Sequence, residues 1–238
     1  VDGPGAFARH TALVTAQMRL LGDVADRSGL MLDPQAGTFY LMAAVVETLP
    51  KMSELLGQSR ALGALYLNRQ AITPAERERL AAMLAQLGQL QGDAERYFGN
   101  AAAADATLAA TVDQPRRAAE QALAAAATLV RSRLIDAATL DAPSVAYFNE
   151  VTGHIDVLFK LADASFVSLD HYLGERLQRQ QRSLATVALG LLLTGGLAAA
   201  LMLAVTRSML RTVASAQAAA EALARGELDH RVTVESSD

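Results

Sequence analysis

The sequence contains no cysteine and no tryptophan, only six prolines, and aromatics at 5% of its 238 positions. Without cysteine there is no disulfide scaffold, no thiolate zinc site and no cysteine nucleophile, and no redox compartment is implied. No stripe of clustered Lys and Arg is present, and the net charge of −4 is mildly acidic. Phosphate neutralisation needs such clusters, so nucleic-acid binding is not expected. The four histidines, His10, His154, His171 and His230, fall at no metal-ligand spacing. Walker, Gly-x-Ser-x-Gly and dinucleotide signatures are also missing, so the chain is expected to carry no catalytic residue, no metal and no cofactor. Ala and Leu are abundant, and hydrophobic residues reach 52%. That composition favours helices with a real core, and the fold class expected is all-α. The chain opens on Val1 rather than Met, which suggests a fragment.

Residues 184–205 carry no charge and are bounded by Arg182 and Arg207. As a helix this stretch spans about 33 Å, the thickness of a bilayer core, and is expected to be transmembrane. A buried helix of a large globular domain is the alternative. Gly195, Gly196, Ala199, Ala200 and Ala204 would let two such helices approach closely, which fits a homodimer. Arg176, Arg179 and Arg182 precede the span while Arg207 and Arg211 follow it, so charge alone does not orient it.

Before the span, apolar periodicity predicts helices over about 6–26, 35–68, 74–112 and 115–135, and a last one continuing into the membrane. Leu80, Met83, Leu87, Leu90, Ala94, Tyr97, Ala101, Ala104 and Leu108 form one seam, and Phe148, Thr152, Ile155, Phe159, Ala162, Phe166, Leu169 and Leu173 a second. Thr73, Pro74 and Glu76 mark a helix start, Asp113-Gln114-Pro115 a break between the third and fourth helices, and Ala142-Pro143-Ser144 the opening of the last. Pro50 should kink the second helix unless local contacts absorb the lost hydrogen bond. The architecture predicted is an up-and-down bundle, single or two-tiered, continuing into the span. After it, Val213, Ala216, Ala220 and Leu223 make a short stripe that needs a partner helix, ending at Gly226.

The stretch 207–238 resembles the start of a HAMP signal-relay domain of bacterial receptors: an Arg207-Ser208 exit from a span, a small-residue helix, then Gly226-Glu227-Leu228 in the place of a Gly-Asp-Leu connector, with Asp238 at the next motif. A second resemblance rests on Asp26 to Pro34, Thr38-Phe39-Tyr40-Leu41-Met42, Leu49-Pro50 and Ser59-Arg60-Ala61-Leu62-Gly63. These are similar to the helical periplasmic sensory region of some proteobacterial methyl-accepting chemotaxis proteins and sensor kinases. The resemblance implies a periplasmic sensory domain over 1–183, a transmembrane helix over 184–205 and a partial HAMP domain over 206–238, in the bacterial inner membrane. It further implies an upstream first span, signal relay through Arg207, Val213, Ala220, Leu223, Gly226 and Leu228, and cytoplasmic signalling partners reached through a C-terminal domain.

Four residues are candidates for a ligand site. Arg27 and Arg60 are of the type that clamps a small carboxylate by paired hydrogen bonds, against the plainer role of surface arginines. Asp33, followed by Pro34, reads first as a helix N-cap with proline at the first helical position, and second as a pocket wall. Tyr40 is a hydrogen-bonding candidate or, among Leu41, Val45 and Leu49, a core aromatic. The function expected is signal input: a small molecule or a periplasmic binding protein shifts the last helix, and the span passes that shift on. The input region of a sensor histidine kinase or nucleotide cyclase, and a tail-anchored structural helical protein without ligand, are the alternatives.

Overall fold

A computed structural model describes residues 3–30 and 34–226 of the chain. The order is α1 Gly3–Arg27, α2 Ala36–Met42, a π-helical turn Ala43–Thr48, α3 Leu49–Asn68, α4 Pro74–Ala104, α5 Ala106–Val130, a second π turn Arg131–Ile135, and α6 Ser144–Ala224. Among the described residues no strand occurs, and the all-α expectation holds. The chain divides into two compact units, Val1–Gly174 and Glu175–Asp238, with the boundary inside α6.

The first unit is built around one apolar cluster. Leu41, Val45, Met52 and Leu56 of the second helical run, Leu80 of α4, Val130 at the end of α5, Leu134 of the second π turn, and Val151 and Leu158 of α6 are sealed from solvent. Thr73 caps α4 through a complete capping box, its hydroxyl accepting from Glu76 N–H while the Glu76 carboxylate accepts from Thr73 N–H at 2.8 Å. Pro50 produces no break. The wide turn that precedes it has Leu49 N–H donating to Ala44 O, five residues back, which shifts the ladder ahead of the proline ring.

Four expectations need correction. The break between the third and fourth helices is at Asp105, not at Asp113-Gln114-Pro115. Asp105 is extended (φ −151°, ψ 110°) and its carboxylate accepts from Thr107 N–H, a local cap that outcompetes continuation, whereas Pro115 is accommodated inside α5. Along α4, Phe98 rather than Tyr97 is buried, Ala104 is exposed, and the side chain of Leu108 lies outside the described residues. At the start of α2, Gln35 is the N-cap instead of Asp33, which itself lies outside the described residues.

The fourth correction concerns α6. Phe148, Phe159 and Phe166 are 39%, 55% and 44% exposed, and the face turned to the core carries Tyr147, Val151, Ile155, Leu158, Leu161, Ser165 and Leu169. The two rows share Ile155 and Leu169, which are buried as expected, and both step by three and four, so periodicity alone cannot rank them. Ser165, fully buried in the observed row, has its hydroxyl satisfied within the helix by Leu161 O at 2.7 Å.

In the second unit α6 carries the apolar window that makes this helix long and apolar enough to cross a membrane, and none of that window is buried by the chain. A core helix of a globular domain would be covered, so the window is a candidate membrane span. Arg207, Val213, Ala220 and Leu223 are exposed on the remaining turns. The helix closes at Ala224, and Gly226 follows with φ +81°, a left-handed conformation suited to glycine. Leu228 lies outside the described residues.

Across the first unit, Arg77 of α4 reaches the frayed end of the second π turn. Its guanidinium donates to the carbonyls of Leu134, Ile135 and, at 2.9 Å, Ala137, satisfying acceptors that have no partner in the helix. Replacing Arg77 with Met keeps the aliphatic stem but strands these acceptors. The substitution is expected to cost about 2 kcal/mol, measured as a lowered midpoint of thermal unfolding by far-UV circular dichroism of the whole chain in detergent.

Candidate functional site

Helix α1 covers the bundle only partly. Ala25 is its one buried hydrophobic residue among those described, while Phe7 and Leu21 pack against the core from its edge. This thin seating leaves two clefts between α1 and α3. A cleft of about 870 Å³ is walled by Phe7, His10 and Thr11 of α1, by Arg60, Leu62 and Tyr66 of α3, and by Arg79 of α4. A second, of about 420 Å³, lies against Val14, Met18, Pro50 and Phe159. His10, Glu54, Gly57 and Arg60 line both, so they stand where the two meet. Gly57 has nothing within 4 Å of where a Cβ would sit, and its bare backbone keeps the junction open.

Arg60 is the most constrained group there. Its Nη1 donates to Thr152 Oγ1 at 2.9 Å, and its guanidinium carbon lies 4.4 Å from the centre of the Phe148 ring, both on α6. Its Nε is buried and has no hydrogen-bond partner, and the same is true of Thr11 Oγ1 in the cleft wall. Two buried polar atoms without partners in one cleft are unusual, since an unmade buried hydrogen bond costs about 1–3 kcal/mol. A guanidinium nitrogen can only donate and a hydroxyl can donate or accept, so an acceptor such as an oxyanion suits either atom.

Arg60, Arg69 and Arg79 line the larger cleft together with Glu54 and Glu76, three cations against two carboxylates. Glu76 is already committed to Thr73 and to an ion pair with Arg69, and Glu54 accepts from Gln58 Nε2 at 2.7 Å. The backbone hydrogen bond from Thr73, joined by Arg69, holds the Glu76 carboxyl below the usual carboxylate range, so it stays ionised and paired. Burial pushes the Tyr66 phenol up, with Glu76 adding to the shift, and Tyr66 serves as a neutral wall. Among the described residues no group of three or more His, Asp or Glu side chains gathers in a metal-holding arrangement.

Of the four sequence candidates, only Arg60 lines these clefts. Arg27 is in the last turn of α1, seventeen helical residues beyond His10 and therefore about 25 Å along the axis, so it does not pair with Arg60. Tyr40 is half-buried on α2, stacked on Tyr97 with ring centres 6.3 Å apart, twenty residues up the same helical run from Arg60. Asp33 lies outside the described residues. His10, Thr11, Phe148 and Thr152 were not singled out for a site from sequence. They come from elements far apart in the chain, and no local spacing announces them.

The seat of α6 on α3 lies one turn from Arg60. Tyr147 donates its hydroxyl to Ser59 O at 3.0 Å, and its ring fills the place a side chain at Gly63 would take, where a Cβ would come within 2.5 Å of the ring. Burial pushes the Tyr147 phenol well above its ordinary value.

Residues 1–169 match the family model NIT, described as nitrate and nitrite sensing. No curated protein and no solved structure matches the chain.

Gly63→Ala is expected to overpack this contact and cost about 1–3 kcal/mol, read as a fall in the thermal midpoint. The Tyr147 hydroxyl supplies a separate, pH-dependent signature. Because its folded-state pKa is raised, its contribution is full below the unfolded value of 10.0 and is lost as pH rises beyond it. The gap in stability between the native chain and Tyr147→Phe, measured by thermal unfolding, should hold up to about pH 10 and narrow progressively above it.

Proposed function

The chain belongs to the NIT family of nitrate- and nitrite-sensing domains, sensors found in signalling receptors, and on that premise we propose that its first unit binds a small planar oxyanion, nitrate or nitrite, at Arg60. The observation that carries this reading is the buried Arg60 Nε without a partner, in a cleft whose other open polar atom is Thr11 Oγ1. Nitrate offers three coplanar oxygens. Two of them match the Nε and Nη2 hydrogens along one edge of a guanidinium, and a further hydroxyl donor fits a remaining lone pair.

In this proposal residues 1–183 are a periplasmic sensory domain, 184–205 cross the inner membrane, and 206–238 begin a HAMP relay. The candidate span and the glycine-closed helix end at Gly226 support that arrangement. Binding acts through differential affinity: an anion favours whichever packing of the bundle presents the open edge of Arg60, and the population shifts towards it. Because Arg60 grips α6 through Thr152 and Phe148, the element that changes is the helix that also carries the candidate span. Val213, Ala220 and Leu223, exposed on the turns after the span, would pack in a parallel bundle with a second copy, giving a homodimer whose output is a chemotaxis-type signal. The input region of a sensor kinase or cyclase uses the same steps. In either case chemistry resides in a separate output domain, and the chain itself is not an enzyme.

The test is nitrate binding by isothermal titration to the whole chain in nanodiscs, with chloride as counter-anion control. Arg60→Ala is expected to weaken binding more than tenfold, and Arg60→Lys to restore little of it because a lysine has no two-point edge. Thr11→Val should weaken it by about three- to tenfold. Nitrate affinity unchanged in Arg60→Ala overturns the assignment. As a check on the arrangement, a periplasm-active reporter fused at the N-terminus and a cytoplasm-active reporter fused after Gly226 are both expected to be functional.

A further inference from the structure

The two sides of the Arg60 guanidinium are used differently. Nη1, which lies on the side of Cδ, is held by Thr152 Oγ1 at 2.9 Å, while Nε on the opposite edge is buried without an acceptor. The Thr152 hydroxyl has its own proton committed, donating to Phe148 O at 2.7 Å. Its oxygen is thereby left as an acceptor of fixed direction, which suits a group that can only donate. The Phe148 ring closes one face of the guanidinium at 4.4 Å. With one nitrogen anchored and one face covered, rotation of the planar group about its stem is restricted.

We infer that Thr152 is the positioning residue of the anion site. Its hydroxyl, polarised by the Phe148 carbonyl, holds Arg60 so that the Nε edge is presented for two-point binding, and the ligand is gripped by a group mounted on α6. This rests on the reading of Arg60 as the anion ligand. It goes further in assigning the orientation of that arginine to a side chain on another helix that never touches the anion. A consequence is that occupancy and the hold on α6 share one guanidinium: an anion drawing Nε towards the cleft also pulls on the Nη1 bond to Thr152.

The test compares Thr152→Ser, which keeps the hydroxyl, with Thr152→Val, which keeps the shape and loses the acceptor. Both are made in the whole chain in nanodiscs, and nitrate binding is measured by isothermal titration. Thr152→Ser is expected to bind within about twofold of the native chain, and Thr152→Val about tenfold more weakly. Because the chain has no native cysteine, Lys51→Cys on α3 and Val145→Cys on α6 can be spin-labelled as a single pair. The nitrate-dependent change in their separation is expected in the native and Thr152→Ser backgrounds and lost in Thr152→Val at saturating nitrate, an effect that a general loss of stability would not produce. Equal affinity and equal displacement in Thr152→Val overturn the inference, as does a Thr152→Ser chain as impaired as Thr152→Val. If the native chain shows no nitrate binding, or Arg60→Ala binds as the native chain does, the site assignment itself fails and this inference falls with it. Strong binding that depends on Arg60 and ignores Thr152 overturns the positioning role alone.

Discussion

The architecture of the sensory unit depends on one close approach, the ring of Tyr147 against the bare backbone of Gly63. A side chain at Gly63 would collide with that ring, and the Tyr147 hydroxyl is pinned to Ser59 O in the neighbouring turn of α3. This contact sets both the height and the rotation of α6 on α3. Once Tyr147 faces inward, Val151, Leu158 and Ser165 must follow it at three- and four-residue steps, and Phe148, Phe159 and Phe166 must turn outward. The same rotation brings Thr152 alongside Arg60. A helix packed on its phenylalanine row would turn Tyr147 away from Gly63 and leave its hydroxyl without the Ser59 acceptor.

Much of the scaffold is legible along the chain because it is set by local chemistry. Thr73 and Glu76 state the start of α4, Pro143 and Ser144 the start of α6, and Gly226 the end of the same helix; each acts within one turn of itself. The apolar window is equally local, since length and the absence of charge suffice to recognise it. The failures are of another kind. Asp113-Gln114-Pro115 carries every sign of a boundary, yet a proline can sit within a helix whose neighbours hold it, and Asp105 gains its capping bond only through the geometry the chain adopts there. The two rows of α6 differ by a rotation that only its partner helix decides. The site residues fall in the same class: Arg60 is recognisable by type, whereas its relation to Thr11 and Thr152 is a property of three helices meeting.

Charge in the unit is arranged so that most acidic groups near the cleft are already occupied. Glu76 is spent on its cap and on Arg69, Glu54 is tied to Gln58, and farther away Asp113 and Glu120 bracket Arg116. The Asp113 carboxyl is held below its usual range by Arg116 and Arg117, so that network is self-contained. Exposed pairs of this sort add little to stability. None of these carboxylates pairs with Arg60, whose buried Nε has no hydrogen-bond partner.

The shallow seating of α1 bears on local stability. Among the described residues α1 buries one alanine and seats Phe7 and Leu21 only partly, so its local opening is expected to need less free energy than unfolding the bundle. A wall held by so little buried area opens locally before the bundle itself unfolds.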